Sequence, residues 1–192
     1  MEALQKIFPI LDRAKPLGAR TLPNGTRLIG HVPHVAPEAW LHEIFPPLHA
    51  HGIEAIERGI KRALPQDFKT FLEFANGLML FSCSLSIYGF RTNYSRTGDD
   101  AIQPFDIITP NTYERPKDAL PSYVFIGGYR SDGSLIYIDS DTSKVFRSAR
   151  KRSIPLNEWT NLEEMLVTET IRIALLFDDR GKRIDPREST AP

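Results

Sequence analysis

The sequence predicts an α+β domain with two N-terminal helices, a central antiparallel sheet of about four to six strands, and a C-terminal helix packed on that sheet. Three observations carry this reading. Residues 64–77 form a short amphipathic segment with both helix ends marked. The hydrophobic period then drops from that of a helix to that of a strand. Three further β-rich runs, separated by compact turn sequences, precede a capped apolar segment.

The elements follow in order. Residues 1–50 hold Pro9, Pro16, Pro23, Pro33, Pro37, Pro46 and Pro47. Each proline removes a backbone donor and crowds the preceding turn, so only short pieces are expected there. Asn24-Gly25, between Arg20-Thr21-Leu22 and Thr26-Arg27-Leu28-Ile29, is a hairpin signal because both residues accept positive φ; Pro23 weakens the pairing. Ile53, Ile56, Ile60, Ala63 and Leu64 share one face of a helix over about 52–63. Pro65 suits the first turn of a second helix, where its missing N–H has no partner, and Asp67 complements the positive end of the helix dipole. Phe68, Phe71, Leu72 and Ala75 form its apolar stripe, and Asn76-Gly77 supplies a stop tolerant of positive φ.

Beyond that stop, Cys83, Leu85, Ile87 and Gly89 alternate with Ser84, Ser86, Tyr88 and Phe90, which predicts a strand with one face on a core. Residues 91–103 are polar and charged and read as a loop. The runs 123–129, 134–139 and 144–148 are separated by Arg130-Ser-Asp-Gly133 and Ser140-Asp-Thr-Ser143, so consecutive antiparallel hairpins are the simplest topology. Thr160-Asn-Leu-Glu163 matches a capping box and opens a helix to about Phe177 whose second half, apolar nearly all round, is expected to be deeply packed. The domain reading is therefore a Pro-rich extension over 1–50, packed on or leading into a domain over 51–178, and a flexible tail over 179–192.

Composition narrows the function classes. The 192 residues are 41% hydrophobic and 25% charged, which suits one domain with extensions. Lys plus Arg equals Asp plus Glu at 24 each, so no global field attracts nucleic acid or an anionic membrane, and direct binding to either is not expected. A single Cys83 excludes an intramolecular disulfide and a multi-cysteine zinc site. The N-terminal run carries Glu2 and is broken by Gln5, Lys6 and Pro9, so no secretion signal is read. No run reaches the roughly 18 consecutive apolar residues of a membrane span. A cytoplasmic location is the expectation.

The search for chemistry is mostly negative. His31, His34, His42, His49 and His51 fall close together, but in proline-interrupted segments with no helix to present them jointly, and His-Glu-x-x-His is absent. Structural histidines are favoured over a metal-dependent enzyme using this region. Asp139-Ser-Asp141 lacks EF-hand spacing and reads as a turn. Gly127-Gly128 with Gly133 matches neither a dinucleotide nor a P-loop pattern. Cys83 is expected on the inward side of a strand, where burial raises a thiol pKa and suppresses reactivity. No Gly-x-Ser-x-Gly elbow occurs. Arg147-Ser-Ala-Arg-Lys-Arg152 reads as a solvated basic loop. Asp99-Asp100 and Asp178-Asp179 are sequence neighbours that do not share a face, so neither forms an acid–base pair. No catalytic residue, metal ligand or cofactor is expected.

Residues 53–77 resemble the opening of the SUKH superfamily, which includes Smi/Knr-type cell-wall regulators and bacterial immunity proteins. The match lies in Glu57, Leu64-Pro65, Asp67-Phe68-Lys69, Phe71-Leu72 and Asn76-Gly77. A second stretch, Phe125-Ile-Gly-Gly, Asp132-Gly133 and Leu135-Ile-Tyr-Ile-Asp139, resembles the family's Gly/Asp turn and Tyr-x-Asp strand. The resemblance covers about residues 50–178. It departs where Ser134 follows Gly133 directly instead of a Gly-Asp step, and residues 1–50 have no counterpart in it. It implies the same α+β fold and a non-enzymatic protein-binding module, first an immunity protein that neutralises a cognate toxin by occlusion. The alternative it implies is a Smi/Knr-type scaffold or regulator of host proteins.

Occlusion needs a preformed surface with aromatic or arginine anchors and complementary charge. The candidates are Tyr88, Arg91, Asn93, Tyr94, Arg96, Asp99 and Asp100 after the first strand, and Tyr129, Arg130 and Asp132 near the next hairpin. Many nuclease inhibitors are strongly acidic because they face a basic active site. This chain is neutral, so either its acids are clustered or its partner is not a nucleic-acid enzyme.

Overall fold

In the computed structural model, which describes residues 2–192, every strand joins one continuous antiparallel sheet. The strands are β1 (Ala19–Thr21), β2 (Arg27–His31), β3 (Trp40–Ile44), β4 (Leu78–Leu80), β5 (Leu85–Ile87), β6 (Tyr123–Tyr129), β7 (Leu135–Asp139), β8 (Val145–Ser148) and β9 (Pro155–Trp159). Their spatial order is their chain order. The helices are α1 (Glu2–Leu11), α2 (Ala50–Ile60), α3 (Gln66–Leu72), α4 (Ile108–Asn111) and α5 (Leu162–Ala174). Short 3-10 turns occupy Asp12–Leu17 and Asp99–Ala101. No described helix is long and apolar enough to cross a membrane.

The α+β class and the C-terminal helix agree with the sequence reading, but nine strands replace the expected four to six, and a further helix precedes the two expected N-terminal ones. The first reason lies in residues 1–50. Prolines keep their pieces short, yet the pieces still pair: the Asn24-Gly25 hairpin joins β1 to β2, and β3 carries the sheet onward to β4. The second reason is Leu78-Met79-Leu80, an apolar run with no alternation to mark it. It pairs with Leu85-Ser86-Ile87, so the expected single strand over 83–89 is the second half of a tight hairpin. Cys83 consequently sits in the β4–β5 turn, half-buried, instead of on a strand.

One face of the sheet carries the main core. Leu78, Leu80, Leu85, Ile87, Val124, Ile126, Ile136, Ile138 and Val145 pack beneath α1, α2, α3 and α5. Phe68, Phe71, Leu72 and Ala75 are fully buried there, so the stripe of the Leu-Pro helix is structural. Each such large side chain contributes roughly 1.5–3 kcal/mol of burial. Glu57 locks the step between the two helices: its carboxylate accepts from Leu64 N at 2.9 Å and pairs with Lys69 Nζ at 2.6 Å. Asn76 stitches the stop, accepting from Phe90 N at 2.6 Å and donating to Phe90 O at 2.8 Å, while Gly77 turns the chain with φ +94.

The cap of α5 is displaced by one residue from its expected place. Asn161 accepts from Glu164 N at 2.9 Å, and Glu164 accepts from Thr160 N at 2.6 Å. The helix ends at Ala174, with Ile171 and Leu175 exposed, so its second half is less deeply packed than expected; only Glu169, Thr170 and Ile173 of that half are buried. Residues 179–192, expected as a flexible tail, lie with Thr190 and Ala191 buried against the domain, and Arg172 donates to Thr190 O at 2.6 Å.

Candidate partner-binding groove

The opposite face of the sheet is only partly covered, and the gap is a solvent-open groove of about 1400 Å³. Register builds its floor. Glu43, Met79, Ser86, Gly128 and Leu135 are successive cross-strand partners from β3 to β7, and the last three line the groove. Gly128 keeps the floor low, since a Cβ there would lie 2.7 Å from Ser134 O and 2.9 Å from the Tyr88 hydroxyl.

The first lip is the segment 105–118, which fills the space beside β6 where β5 stops. Asn111 is the clamp. It accepts from Phe125 N at 2.9 Å and donates to Phe125 O at 2.7 Å, completing the pairing that β5 leaves open. Arg115 donates to Tyr123 O at 2.9 Å and to Leu120 O at 2.6 Å, with its guanidinium 5.5 Å from the Phe125 ring centre. Asp118 accepts from Ser153 N, and Ser153 Oγ donates back to Asp118 O at 2.8 Å, tying this lip to the loop before β9. With its backbone so held, the lip presents Phe105 at 47% exposure and Tyr113 at 90%. Tyr88 meets Phe105 edge-on at 6.3 Å. Burial, then the nearby Glu114, pushes the Tyr88 hydroxyl up to about 12, so it stays protonated at neutral pH.

The second lip is basic. Arg130 stands at the end of β6, and Arg150, Lys151 and Arg152 form the β8–β9 turn. All four are exposed. Arg150 lies over the β6–β7 turn, where Gly133 has φ +69 and a Cβ would come within 3.1 Å of the arginine stem. Among the described residues, none of these four, nor Lys117 across the groove, has a carboxylate within salt-bridge distance. Two of the three lining acids are engaged locally: Asp118 as above, and Asp106 by Thr109 N and Oγ1 at 3.1 and 3.0 Å. Glu114 is the third.

The residues singled out from sequence fall in two places. Tyr88, Tyr129 and Arg130 line the groove. The Tyr129 hydroxyl is turned to the helix layer, donating to Glu169 at 2.7 Å. Asp132 belongs to the turn beside them but pairs with Arg147 at 2.5 Å and accepts from Ser134 N. Arg91, Asn93, Tyr94, Arg96, Asp99 and Asp100 are not part of the groove. They form the separate 91–103 loop, where Arg91 lies 4.9 Å from the Tyr94 ring centre, Asn93 accepts from Ser95 N, and Asp99 pairs with Arg20 of β1 at 2.8 Å.

Sequence reasoning missed Phe105, Tyr113 and Lys117, which lie in a stretch without periodicity. It also treated Arg147–Arg152 as one solvated run. The structure divides that run: Arg147 is 8% exposed and bonded to Ser134 Oγ, Asn157 Oδ1, Asp132 and Pro192 O, whereas Arg150, Lys151 and Arg152 border the groove.

The histidines have separate settings. His31 packs 5.1 Å from Trp40, His42 is buried against Phe81, and His49 and His51 stack at 6.1 Å. Among the described residues, no three His, Cys, Asp or Glu side chains are grouped to hold a metal ion. Cys83 lies at the groove's edge, its thiol pushed up to about 11 by burial and by Glu43.

The groove's floor, both lips and the Leu-Pro helix all fall within residues 47–167, which match the model of the SMI1 / KNR4 family (SUKH-1). No curated protein matches the chain. The family match spans well over half of the sequence, and the chain therefore belongs to the SMI1 / KNR4 family (SUKH-1).

Proposed function

We propose that this chain is a non-enzymatic protein-binding module, that the groove is its partner surface, and that it acts as an immunity protein which occludes a cognate toxin. The observation that carries the reading is the pairing of an aromatic lip with a lip of unpaired cations on a backbone already fixed by side-chain clamps. Exposed aromatics and arginines at a concave surface are the side chains that dominate binding energy. A preformed site also loses little entropy on association. Tyr113 at 90% exposure has no packing role to explain it. The groove's volume exceeds the roughly 300–1,000 Å³ of small-molecule sites and suits a protruding protein segment. Membership of the family supports an immunity or Smi/Knr-type module.

A photo-crosslinking amino acid at Tyr113, in cells that also express a toxin encoded beside this gene, tests the reading. A toxin adduct is expected from Tyr113 and not from Ile171 on α5, which is exposed on the helix layer. An adduct from Ile171 alone, or intact protection by Tyr113→Asp, would refute it.

A further inference from the structure

Resting on the reading of the groove as a partner surface, we infer that the segment it receives is acidic: an extended stretch whose carboxylates meet Arg130, Arg150, Lys151 and Arg152 while an apolar side chain packs on Phe105 and Tyr113. In a chain of zero formal net charge, cations are expected to find carboxylates nearby. Several do: Lys6 with Glu2 and Glu163, Lys69 with Glu57, Lys144 with Glu158, and Arg147 with Asp132. Among the described residues others stand without a carboxylate, Arg13, Lys61, Arg91 and Arg96 among them, but the basic lip brings four together along one wall of the groove: Arg130, Arg150, Lys151 and Arg152. Arginine forks match carboxylates bidentately, and a concave low-dielectric wall strengthens that pairing relative to open surface.

The geometry also sets the size and kind of occupant. The floor crosses β5, β6 and β7, three strands about 4.8 Å apart, so about three residues of extended chain lie across it. Alternation along such a chain puts carboxylates toward the basic lip and an apolar group toward the aromatic lip. A nucleic-acid strand fits less well. Its phosphates are continuous, and the opposite lip carries Asp106, Glu114 and Asp118. The chain also has no net positive field to draw a polyanion in.

The test is fluorescence anisotropy at low ionic strength with three labelled probes. These are a dodecapeptide alternating glutamate and leucine around a central phenylalanine, its glutamine counterpart, and an oligothymidylate of similar length. The glutamate peptide is expected to bind about tenfold tighter than either other probe, and to lose that preference at high salt and in the double variant Arg150→Glu, Arg152→Glu. Arg58→Glu on α2, also exposed but outside the groove, leaves it intact. Equal binding of the two peptides, tighter binding of the oligonucleotide, or an unchanged preference in the double variant would overturn the inference. The Tyr113 cross-link separates the two claims. Its persistence with no acidic preference sinks the acidic occupant alone, and its loss with the preference intact sinks the toxin reading alone.

Discussion

His42 and Glu43 are neighbours on β3 that point to opposite faces of the sheet, and burial acts on them in opposite directions. His42, in the core against Phe81, is pushed down to about 3 from 6.5 by burial, partly countered by Asp12, and accepts from Phe81 N at 3.4 Å as a neutral ring. Glu43, on the row that becomes the groove floor, is pushed up to about 7 from 4.5 by burial. For His42 the unfolded chain binds the extra proton, so its contribution is lost as pH falls below 6.5 toward 3. For Glu43 the folded chain holds the proton, so its contribution is lost as pH rises from 4.5 through 7. The two slopes cancel between 4.5 and 6.5. Glu43→Gln removes one slope only. Urea unfolding should show it stabilised by about 3 kcal/mol at alkaline pH and nearly unchanged in acid, because each pKa unit between 4.5 and 7 is worth about 1.4 kcal/mol. An equal effect at both pH values would show that Glu43 is not held protonated.

At the scale of elements, the turn between β4 and β5 is the most strained connection. Phe81, Ser82 and Cys83 have φ of 53, 53 and 66, three consecutive non-glycine residues in the left-handed region. Each costs about 1–2 kcal/mol there. The hairpin holds them through Ser82 N to Leu41 O at 2.8 Å and Ser84 Oγ to Phe81 O at 2.7 Å. Ser82→Gly should therefore raise stability by about 1 kcal/mol despite glycine's greater unfolded-state freedom, read as a shift in the urea midpoint. A loss of stability would mean that the Ser82 side chain is itself a needed contact.

Elements carried by local signals were legible in the sequence. The Leu-Pro helix, the Asn24-Gly25 hairpin and the β6–β7–β8 hairpins each have periodicity plus a marked turn. The first lip was not legible, because its shape comes from distant partners: Asn111 with Phe125, Arg115 with Tyr123, and Asp118 with Ser153. A segment without periodicity gives no warning that it will be clamped. Tyr88, Tyr129 and Arg130 were within reach because they flank readable strands, and the basic turn was visible as charge but not as the bordering wall of a groove.

On the scale of the whole molecule, the sheet divides the labour between its faces. One face buries the helices and supplies the stability, including the motif residues Glu57, Phe68, Phe71 and Asn76. The other face keeps a fixed concavity with aromatic and cationic lips. Substitutions in the motif should therefore unfold the chain, whereas substitutions at the lips should change association and leave folding intact. The 91–103 loop offers the competing surface, with Tyr94 at 72% exposure. Titration calorimetry of the toxin proposed as partner against the wild type, Tyr113→Ala and Tyr94→Ala compares the two surfaces directly. The groove account predicts at least about tenfold weaker binding for Tyr113→Ala, with an unchanged Tm, and wild-type affinity for Tyr94→Ala. Wild-type affinity for Tyr113→Ala together with weakened binding for Tyr94→Ala would contradict it and move the partner surface to the loop.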